Sequence, residues 1–400
     1  MATSDTSLVK SQPKSSVSFF YDERFRNFFY QTLTAGTFAW LVWYLFTNTS
    51  HNLEVRGMNS GFGFLFQTAG FDTDFKLIEY TVGTGTYGRI FFVGVLNTLF
   101  VSSIAIVLMT IIGFFVGVLR LSTNWLISLL ALTYVEILRN TPLLIQIIFW
   151  YLGVFALLPK VKQSADFLGI VFLNNRGLYL PSPVPGDLFW MTMTAFVVGV
   201  VAAFLIRRWA RRRQERTGQQ FPSFWAGLGV VVALPGVVYL GTGMPLAWDI
   251  AELKGFNFQG GFALPPSFLA LLVSLTIYHS AHMAEAVRAG ILSVSKGQTE
   301  AAKAVGLKPG RVMRLVIIPQ AMLAIVPPMI STWMNVVKNS SLAVAIGYSD
   351  VVALFMQTSL NQSGYAIEIV AITMLFYMTI SLTISFFMNI YNKRVQLRER

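Results

Sequence analysis

The sequence predicts an all-α protein that crosses a membrane several times. Apolar residues make up 54% of the 400 residues and charged residues only 12%, whereas a soluble domain carries about 25% charged residues. The charges also fall in short clusters and leave long uncharged windows. A helix needs about 20 mainly apolar residues to cross the hydrocarbon core. About eight windows qualify on that length: 28–46, 90–119, 125–158, 188–206, 224–243, 268–284, 315–337 and 369–391.

The third and seventh of these windows do not read as simple spans. The third is too long for one crossing, and Glu136 and Arg139 interrupt it. Its first part is therefore predicted to be a lead-in helix, with the crossing centred on residues 141–158. The seventh contains Pro319, Pro327 and Pro328, so we expect a kinked or broken helix there.

The distribution of basic residues predicts the orientation of the spans. If the amino terminus is cytoplasmic, 21 of the 30 basic residues fall on the cytoplasmic side and 8 on the opposite side. Positive charge accumulates on the cytoplasmic side of membrane proteins, so both termini are predicted to lie there. The net charge of +12 then needs no nucleic acid to explain it. The arginine run at 207–216 reads as a topological signal and as a contact for anionic lipid.

Residues 295–310 predict a short polar helix and turn between two apolar windows. Ser295 and Gln298 have the spacing of a capping box, and Glu300 falls in the first turn. Gly306 suits a left-handed helix end, and Pro309 prevents continuation. Local chemistry leaves two interpretations open: a solvated connector, or a helix on which another protein docks.

Polar groups inside apolar windows are candidates for a translocation path, because burying them in lipid is costly. Other roles remain open for some of them. Glu136 and Arg139 could neutralise each other as a structural pair, and Lys338 could extend its side chain to the membrane surface. Glu285 is also placed to pair with Arg288 at i, i+3. The full candidate set is Asn97, Thr98, Glu136, Arg139, Glu285, Lys338, Asn339, Ser340 and Ser341.

Motifs of soluble enzymes are missing from the sequence. It has no cysteine and no G-x-x-x-x-G-K-[ST] segment, so it does not bind ATP through a P-loop. Residues 83–88 match G-x-G-x-x-G by letters, but no strand is predicted before them and a flexible loop is expected. His279 and His282 lack a third ligand, so we expect polar helix contacts there and no metal site. We expect neither catalysis nor a cofactor.

Three ordered motifs resemble those of one transporter family. Residues 298–306 (QTEAAKAVG) with 318–321 (IPQA) resemble the EAA signature of ABC importer permeases, with Ile318 in place of the usual leucine. Residues 136–146 (EILRNTPLLIQ) and 338–342 (KNSSL) are similar to two segments of the polar amino-acid subfamily, which serves histidine, glutamate or general L-amino-acid importers. The resemblance covers 90–158 and 264–400. It implies a five-helix type I permease core.

The resemblance implies the following division of the chain. Residues 1–27 form a disordered cytoplasmic tail, and 28–89 form a first transmembrane helix with its outer loop. Residues 90–158 and 267–391 supply the two parts of the core, separated by an insertion, 159–266, with two extra transmembrane helices. A cytoplasmic coupling helix lies at 296–307, and 392–400 form a basic tail.

The same resemblance implies a permease subunit of an ATP-driven, binding-protein-dependent importer of polar or general L-amino acids in a bacterial inner membrane. The implied partners are two copies of an ABC ATPase, a second homologous permease and a periplasmic solute-binding protein. The implied ATPase-coupling residues are Gln298, Glu300, Ala301, Ala302 and Gly306. A secondary transporter or channel is the main alternative, although no paired interrupted halves are seen. A membrane enzyme is a weaker one, because the 18 acidic residues are scattered.

Overall fold

The computed structural model describes residues 23–55 and 61–395, so the predicted tails at 1–27 and 392–400 lie largely outside the described residues. Most of the described chain is helical, as predicted. The helices are α1 (Glu23–Val55), α2 (Tyr87–Leu119), α3 (Trp125–Asn140), α4 (Leu143–Ile148), α5 (Phe189–Thr217), α6 (Ser223–Gly241), α7 (Pro266–Leu292), α8 (Lys296–Ala304), α9 (Pro309–Val312), α10 (Ile318–Asn339), α11 (Leu360–Ser363) and α12 (Ala366–Val395).

The predicted count of about eight membrane-spanning helices is not confirmed. Among the described residues, six helices are long and apolar enough to cross a membrane, or seven if the bent pair α3–α4 counts as one span. The difference comes from α1, which is helical over 33 residues but is not among these six. Its apolar stretch is diluted by Gln31, Thr32, Thr34 and Thr37.

The third apolar window breaks where the sequence predicts. The axes of α3 and the helical segment that follows differ by 102°, and the break falls at Thr141 and Pro142. The side-chain amide of Gln146 donates to the carbonyls of Leu138 and Thr141, both at 3.0 Å. The backbone groups freed by the break therefore find partners inside the chain, as burial in a membrane requires. A π-helical turn at Phe149–Val154 continues the segment.

The proline-rich window is not broken at its two central prolines, because α10 continues through Pro327 and Pro328. The irregularity lies earlier, in a π-helical segment at Met313–Ile317 that precedes Pro319. A wider helical turn there removes the conflict between the proline ring and the preceding carbonyls.

Close contact between α2 and α7 forms the centre of the protein. A Cβ atom added at Gly117 would lie 2.7 Å from the carbonyl oxygen of Ala284 and 2.8 Å from the Cβ atom of Val287. Gly113 meets Met283 in the same way, and Gly290 on α7 meets Ile325 on α10. Small residues let helix backbones approach closely, which is how membrane helices gain packing contacts. The helices α2, α7 and α10 therefore form one packed core.

The insertion contains short strands that the all-α prediction did not include. A four-stranded antiparallel sheet has the order β1-β2-β3-β8, while β4 pairs with β5 and β6 with β7. The registers Leu178↔Leu264 and Ser182↔Asp249 join the two ends of the insertion. The strands are β1 (Ala165–Phe167), β2 (Val171–Asn174), β3 (Gly177–Leu180), β4 (Ser182–Pro185), β5 (Leu246–Asp249), β6 (Glu252–Lys254), β7 (Asn257–Gln259) and β8 (Phe262–Leu264).

Because these ladders hold the two ends of the insertion together, α5 and α6 emerge as a helical hairpin. The two helices pack on each other through Gly227, whose added Cβ atom would lie 3.3 Å from the Cβ atom of Ala203. Only 11% of the apolar window of α5 and 6% of that of α6 is buried. The hairpin is thus nearly independent of the core.

The loop before α2 is compact and contains no nucleotide-binding turn. Phe64 and Tyr80 are buried against Ile90 and Phe355. Residues 82–84 form a turn, and Thr86 pairs with Thr68 in an isolated bridge just before α2. The G-x-G-x-x-G letters at 83–88 therefore run from this turn into the first residues of α2.

Candidate functional site

The predicted polar helix is present as α8, but it does not begin with a capping box. Ser295 makes no side-chain capping hydrogen bond. The side-chain oxygen of Gln298 instead accepts a 3.3 Å hydrogen bond from Gln320 at the start of α10. Gln298 therefore joins α8 to the next long helix, and the expected capping role is wrong.

The carboxyl-terminal end of α8 forms as predicted, through a left-handed glycine. Gly306 has φ of 79°. Its N–H donates to the carbonyl of Lys303 at 2.9 Å, and the N–H of Leu307 donates to Ala302 at 3.2 Å. This pair of bonds defines a Schellman motif, which favours glycine because a side chain is strained at positive φ.

The faces of α8 differ in what they contact. Ala302 is 6% exposed and lies on the face that packs on α9 and the π-helical segment after it. We expected Ala302 to give a partner close approach, but its small side chain serves packing within the chain. The opposite face is exposed and presents residues at i, i+3, i+4 and i+7: Gly297, Glu300, Ala301 and Ala304.

A carboxylate bound by two arginines lies at the carboxyl-terminal ends of α2 and α7. Glu285 accepts a 2.8 Å hydrogen bond from Arg288, as its spacing predicts. Arg120, just beyond α2, bonds the other carboxylate oxygen. The sequence carried no signal for this second arginine, because 165 residues separate it from Glu285. Glu285 therefore joins two core helices, and its role in the translocation path stays a prediction.

Asn97 and Thr98 were expected to be candidates for the path, but both are fully buried. The Asn97 amide donates to the carbonyls of Phe75 and Ser349 at 2.9 and 2.8 Å. Thr98 accepts from the N–H of Val351 at 3.2 Å. These bonds hold α2 against two loops and leave neither side chain accessible to a solute in this conformation.

Beside them, Asp350 is a buried carboxylate that sequence reasoning missed. It is 0% exposed, and its Oδ1 atom accepts from the N–H of Ala353 at 2.8 Å. Burial raises the pKa of this carboxyl to about 7. Its local role is to accept a backbone hydrogen bond from the first turn of the helical segment after residue 351.

Glu136 and Arg139 do not form the structural pair that their spacing allows. Glu136 accepts a 3.2 Å hydrogen bond from Asn140. Arg139 makes no ion pair within 23–55 and 61–395. Both side chains are exposed on the surface of the isolated chain.

The segment 338–341 contains both exposed and buried side chains. Lys338 is exposed and forms no ion pair in the described part of the chain. Asn339 lies 3.2 Å from the His279 ring nitrogen, and Ser340 is buried and bonded to the carbonyl of Val337 at 2.8 Å. The Ser341 hydroxyl donates to the carbonyl of Lys338 at 2.7 Å. The predicted site residues therefore do not form one cluster.

Comparisons with known proteins identify the family. Residues 195–397 match the model of the family described as "Binding-protein-dependent transport system inner membrane component". The chain belongs to this family. It is a multi-pass inner-membrane component of a transport system that works with a separate ATPase and a substrate-binding protein.

Relatives align over nearly the whole chain, including the insertion that the motif resemblance left out. A protein of Escherichia coli named "Putative amino-acid ABC transporter permease protein YhdX" is 46% identical, with 98% of this chain and 99% of that protein covered. The general L-amino acid transport system permease protein AapQ of Rhizobium johnstonii is 44% identical, with 99% and 98% covered. The glutamate/glutamine/aspartate/asparagine permease protein BztB of Rhodobacter capsulatus is 40% identical, with 95% and 96% covered.

Among solved structures, the chain is similar to a protein of an amino acid ABC transporter crystallised with histidines. The TM-score is 0.46 and the identity 21%, over 77% of this chain and 95% of that one.

Proposed function

We propose that this chain is a permease subunit of an ATP-driven importer of polar or general L-amino acids, and that α8 transmits the work of the ATPase. The names of three relatives at 40 to 46% identity describe amino-acid permease proteins. The geometry of α8 supports the proposal that this helix couples the chain to the ATPase. One face of α8 is exposed and has mostly small side chains, the opposite face packs on its own chain, and a left-handed glycine ends the helix.

The exposed face of α8 suits insertion into a groove on another protein. Gly297, Ala301 and Ala304 present almost no side chain, so a partner backbone can approach closely. Glu300 adds one charge to the same face. A short helix that is exposed along one side gains stability when a partner covers that side.

Contacts behind α8 give a route for its movement. Ala302 packs toward α9 and the π-helical segment that leads into α10. Gln298 bonds Gln320 on α10, and α10 touches α7 at Gly290. A rigid displacement of α8 would therefore tilt α10 and α7 together, as in other rigid-body switching mechanisms.

The exposed charges on the apolar segments support a second permease chain, either a different chain or another copy of this one. Glu136, Arg139 and Lys338 are exposed in the isolated chain, without an ion pair among the described residues. Charges facing lipid cost several kcal/mol, so such residues usually face protein or a water-filled path. We propose that this surface meets the second permease, with one ATPase below each.

We infer that α1 is an eighth span in this assembly, so that both termini and α8 are cytoplasmic, and that the chain itself hydrolyses no ATP. The binding protein delivers the amino acid from the other side. Among the described residues, no three His, Cys, Asp or Glu side chains are grouped for a metal.

Single-cysteine crosslinking tests the docking of α8, since the sequence has no cysteine of its own. Ala301→Cys should crosslink to a co-purified ATPase, whereas Ala302→Cys, on the packed face, should not. Mass spectrometry of the co-purified proteins should also show a second permease.

The alternative of a secondary transporter predicts the opposite results. No ATPase would crosslink at residue 301, and the purified chain in liposomes would accumulate amino acids on an ion gradient alone.

A further inference from the structure

The strands of the insertion form a small cap at one end of the core, and α8 lies at the other. We define the cap as residues 159–187 and 244–265. Strand β8 leads through Pro265 directly into α7, and α8 follows the far end of α7. A helix of 27 residues is about 40 Å long, enough to cross a bilayer. The cap and α8 therefore lie on opposite sides of the membrane.

The acidic residues of the cap are mostly engaged within the cap itself. Asp166 accepts from the N–H of Gly169 at 2.7 Å, and Asp249 accepts from the N–H of Gly261 at 2.8 Å. Glu252 lies 3.4 Å from Lys254. These three carboxylates stabilise turns or pair locally, so they do not neutralise the other basic residues.

Three cations of the cap have no such partner in the described part of the chain. Lys160, Lys162 and Arg176 are exposed and form no ion pair there. All three line one cavity of about 430 Å³, together with Phe256, and the Lys162 ammonium lies 5.8 Å from the centre of the Phe256 ring. A second cavity of about 580 Å³ shares the wall formed by Val161 and Lys162 and extends to Gly169 and Leu253. The second cavity also contains Asp166 and Glu252, so the unpaired positive charge is concentrated in the first cavity, and Lys162 lies where the two cavities meet.

Large apolar side chains border this surface although it lies outside the spans. Phe256 is 82% exposed and Leu168 93% exposed. Leu168 also has φ of 60°, a left-handed conformation that is strained for a residue other than glycine. An exposed leucine in a strained turn gives this chain alone no packing gain. Exposed apolar groups beside polar ones are typical of protein interaction sites.

We infer that the cap surface, formed by Lys160, Lys162, Arg176, Leu168, Leu253 and Phe256, docks an acidic face of the external binding protein. This inference rests on the proposed function, which places the cap on the side where the binding protein acts. The unpaired cations complement carboxylates and speed encounter, while Leu168 and Phe256 become covered in the complex. Small-molecule sites enclose most of the ligand, whereas these cations lie on an exposed surface, so a protein partner fits better than a free amino acid.

The test uses the complete importer in lipid nanodiscs with its own binding protein. Lys162→Glu should lower the association rate about tenfold at low salt and reduce its salt dependence, because long-range attraction is lost. Lys254→Glu is the matched control, because Lys254 lies on the same cap but is already paired with Glu252. Because it makes the same change in net charge outside the unpaired cluster, it should lower the association rate clearly less than Lys162→Glu.

A second variant separates docking from folding. Leu168→Gly relieves the strained turn, so thermal stability should stay the same or rise, while dissociation of the binding protein should become faster. Loss of binding in a variant that is no less stable cannot come from misfolding.

The outcomes also separate this inference from the proposed function. If the unmodified importer shows no ATP hydrolysis stimulated by the binding protein, the proposed function fails. If that stimulation is present but Lys162→Glu and Leu168→Gly both bind the protein normally, only the docking inference is overturned. The last measurement uses free glutamate without the binding protein. If glutamate binds the importer, and Lys162→Glu abolishes that binding but leaves docking of the binding protein unchanged, the inference is also overturned.

Discussion

The packed core and the inserted hairpin are both built from helices apolar enough to cross a membrane, yet they differ in how they are held. In α7, 67% of the apolar window is buried, compared with 11% in α5 and 6% in α6. The core helices meet at glycines such as Gly117, where no Cβ atom fits, whereas a glycine of the hairpin such as Gly229 has open space around it. The two hairpin helices also approach each other closely, at Gly199 and Gly227, so the hairpin differs from the core in making few contacts outside itself.

The charges of the two regions show the same contrast. Glu285 in the core is bound by two arginines and is 27% exposed, whereas Glu215 of the hairpin pairs with Arg211 at 63% exposure. The helix α8 also rests on the core. If the core carries the moving parts, substitutions in it should affect stability and transport far more than matched substitutions in the hairpin.

The largest difference is expected from adding a single methyl group at a glycine. Gly117→Ala places its Cβ atom 2.7 Å from a backbone carbonyl of α7, so the two helices must separate. Such overpacking costs about 1–3 kcal/mol, and adding Gly113→Ala should increase the loss. The thermal unfolding midpoint of the detergent-purified protein measures it.

Gly229→Ala is the control, because nothing lies within 4 Å of that position. It should not lower the midpoint. Equal losses at positions 117 and 229 would show that the hairpin is as tightly packed as the core.

The next largest effect concerns coupling and uses two helix-ending glycines. Gly306 after α8 and Gly218 after α5 both have positive φ, 79° and 68°, with open space around them. Aspartate tolerates this conformation better than most residues, so Gly306→Asp and Gly218→Asp should insert normally and cost similar stability. Only Gly306→Asp should reduce ATP-driven uptake, by about tenfold if docking loses roughly 1.4 kcal/mol. Uptake by membrane vesicles, normalised to protein amount, is the measurement. Normal uptake in Gly306→Asp would exclude α8 as the docking element.

Local signals in the sequence predicted much of the fold, and signals that depend on distant residues were missed. The break at Pro142 and the helix end at Gly306 follow from the chemistry of one or two residues. The bond between Glu285 and Arg120 depends on how α2 meets α7, which no spacing in the sequence encodes. The capping box failed because Gln298 found a tertiary partner, Gln320, in place of a local one.

The set of candidate path residues shows the same limit. Polarity within an apolar window marks Asn97 and Lys338 alike, but the first is buried in a backbone network and the second is exposed. Burial distinguishes them, and burial is a property of the fold. The short strands of the cap were also missed, because strands of three or four residues carry little periodic signal.

A smaller effect is expected from neutralising one carboxylate in each region. Glu285→Gln leaves Arg120, whose side chain is 10% exposed, without its charged partner, and we expect a loss of about 1–2 kcal/mol. Glu215→Gln removes an exposed pair, and such pairs contribute about 0–1 kcal/mol. Thermal unfolding in 0.1 M and 1 M salt compares the two. A larger loss for Glu215→Gln would contradict the difference between the regions.

The smallest effect is expected from the largest change, the removal of the hairpin. Strands β4 and β5 place Pro185 opposite Leu246, so an Asn-Gly turn can replace residues 186–245 and close the ladder as a β-hairpin. Two spans are lost together, so the remaining helices keep their orientation. Because α5 and α6 pack mainly on each other, the unfolding free energy of the rest should change by no more than about 0.5 kcal/mol. Uptake should also persist, since α8, α10 and the cap surface are all retained.

If the shortened chain is stable but no longer co-purifies with the second permease, the exposed faces of α5 and α6 are a subunit interface. The independence of the hairpin would then hold only for the isolated chain.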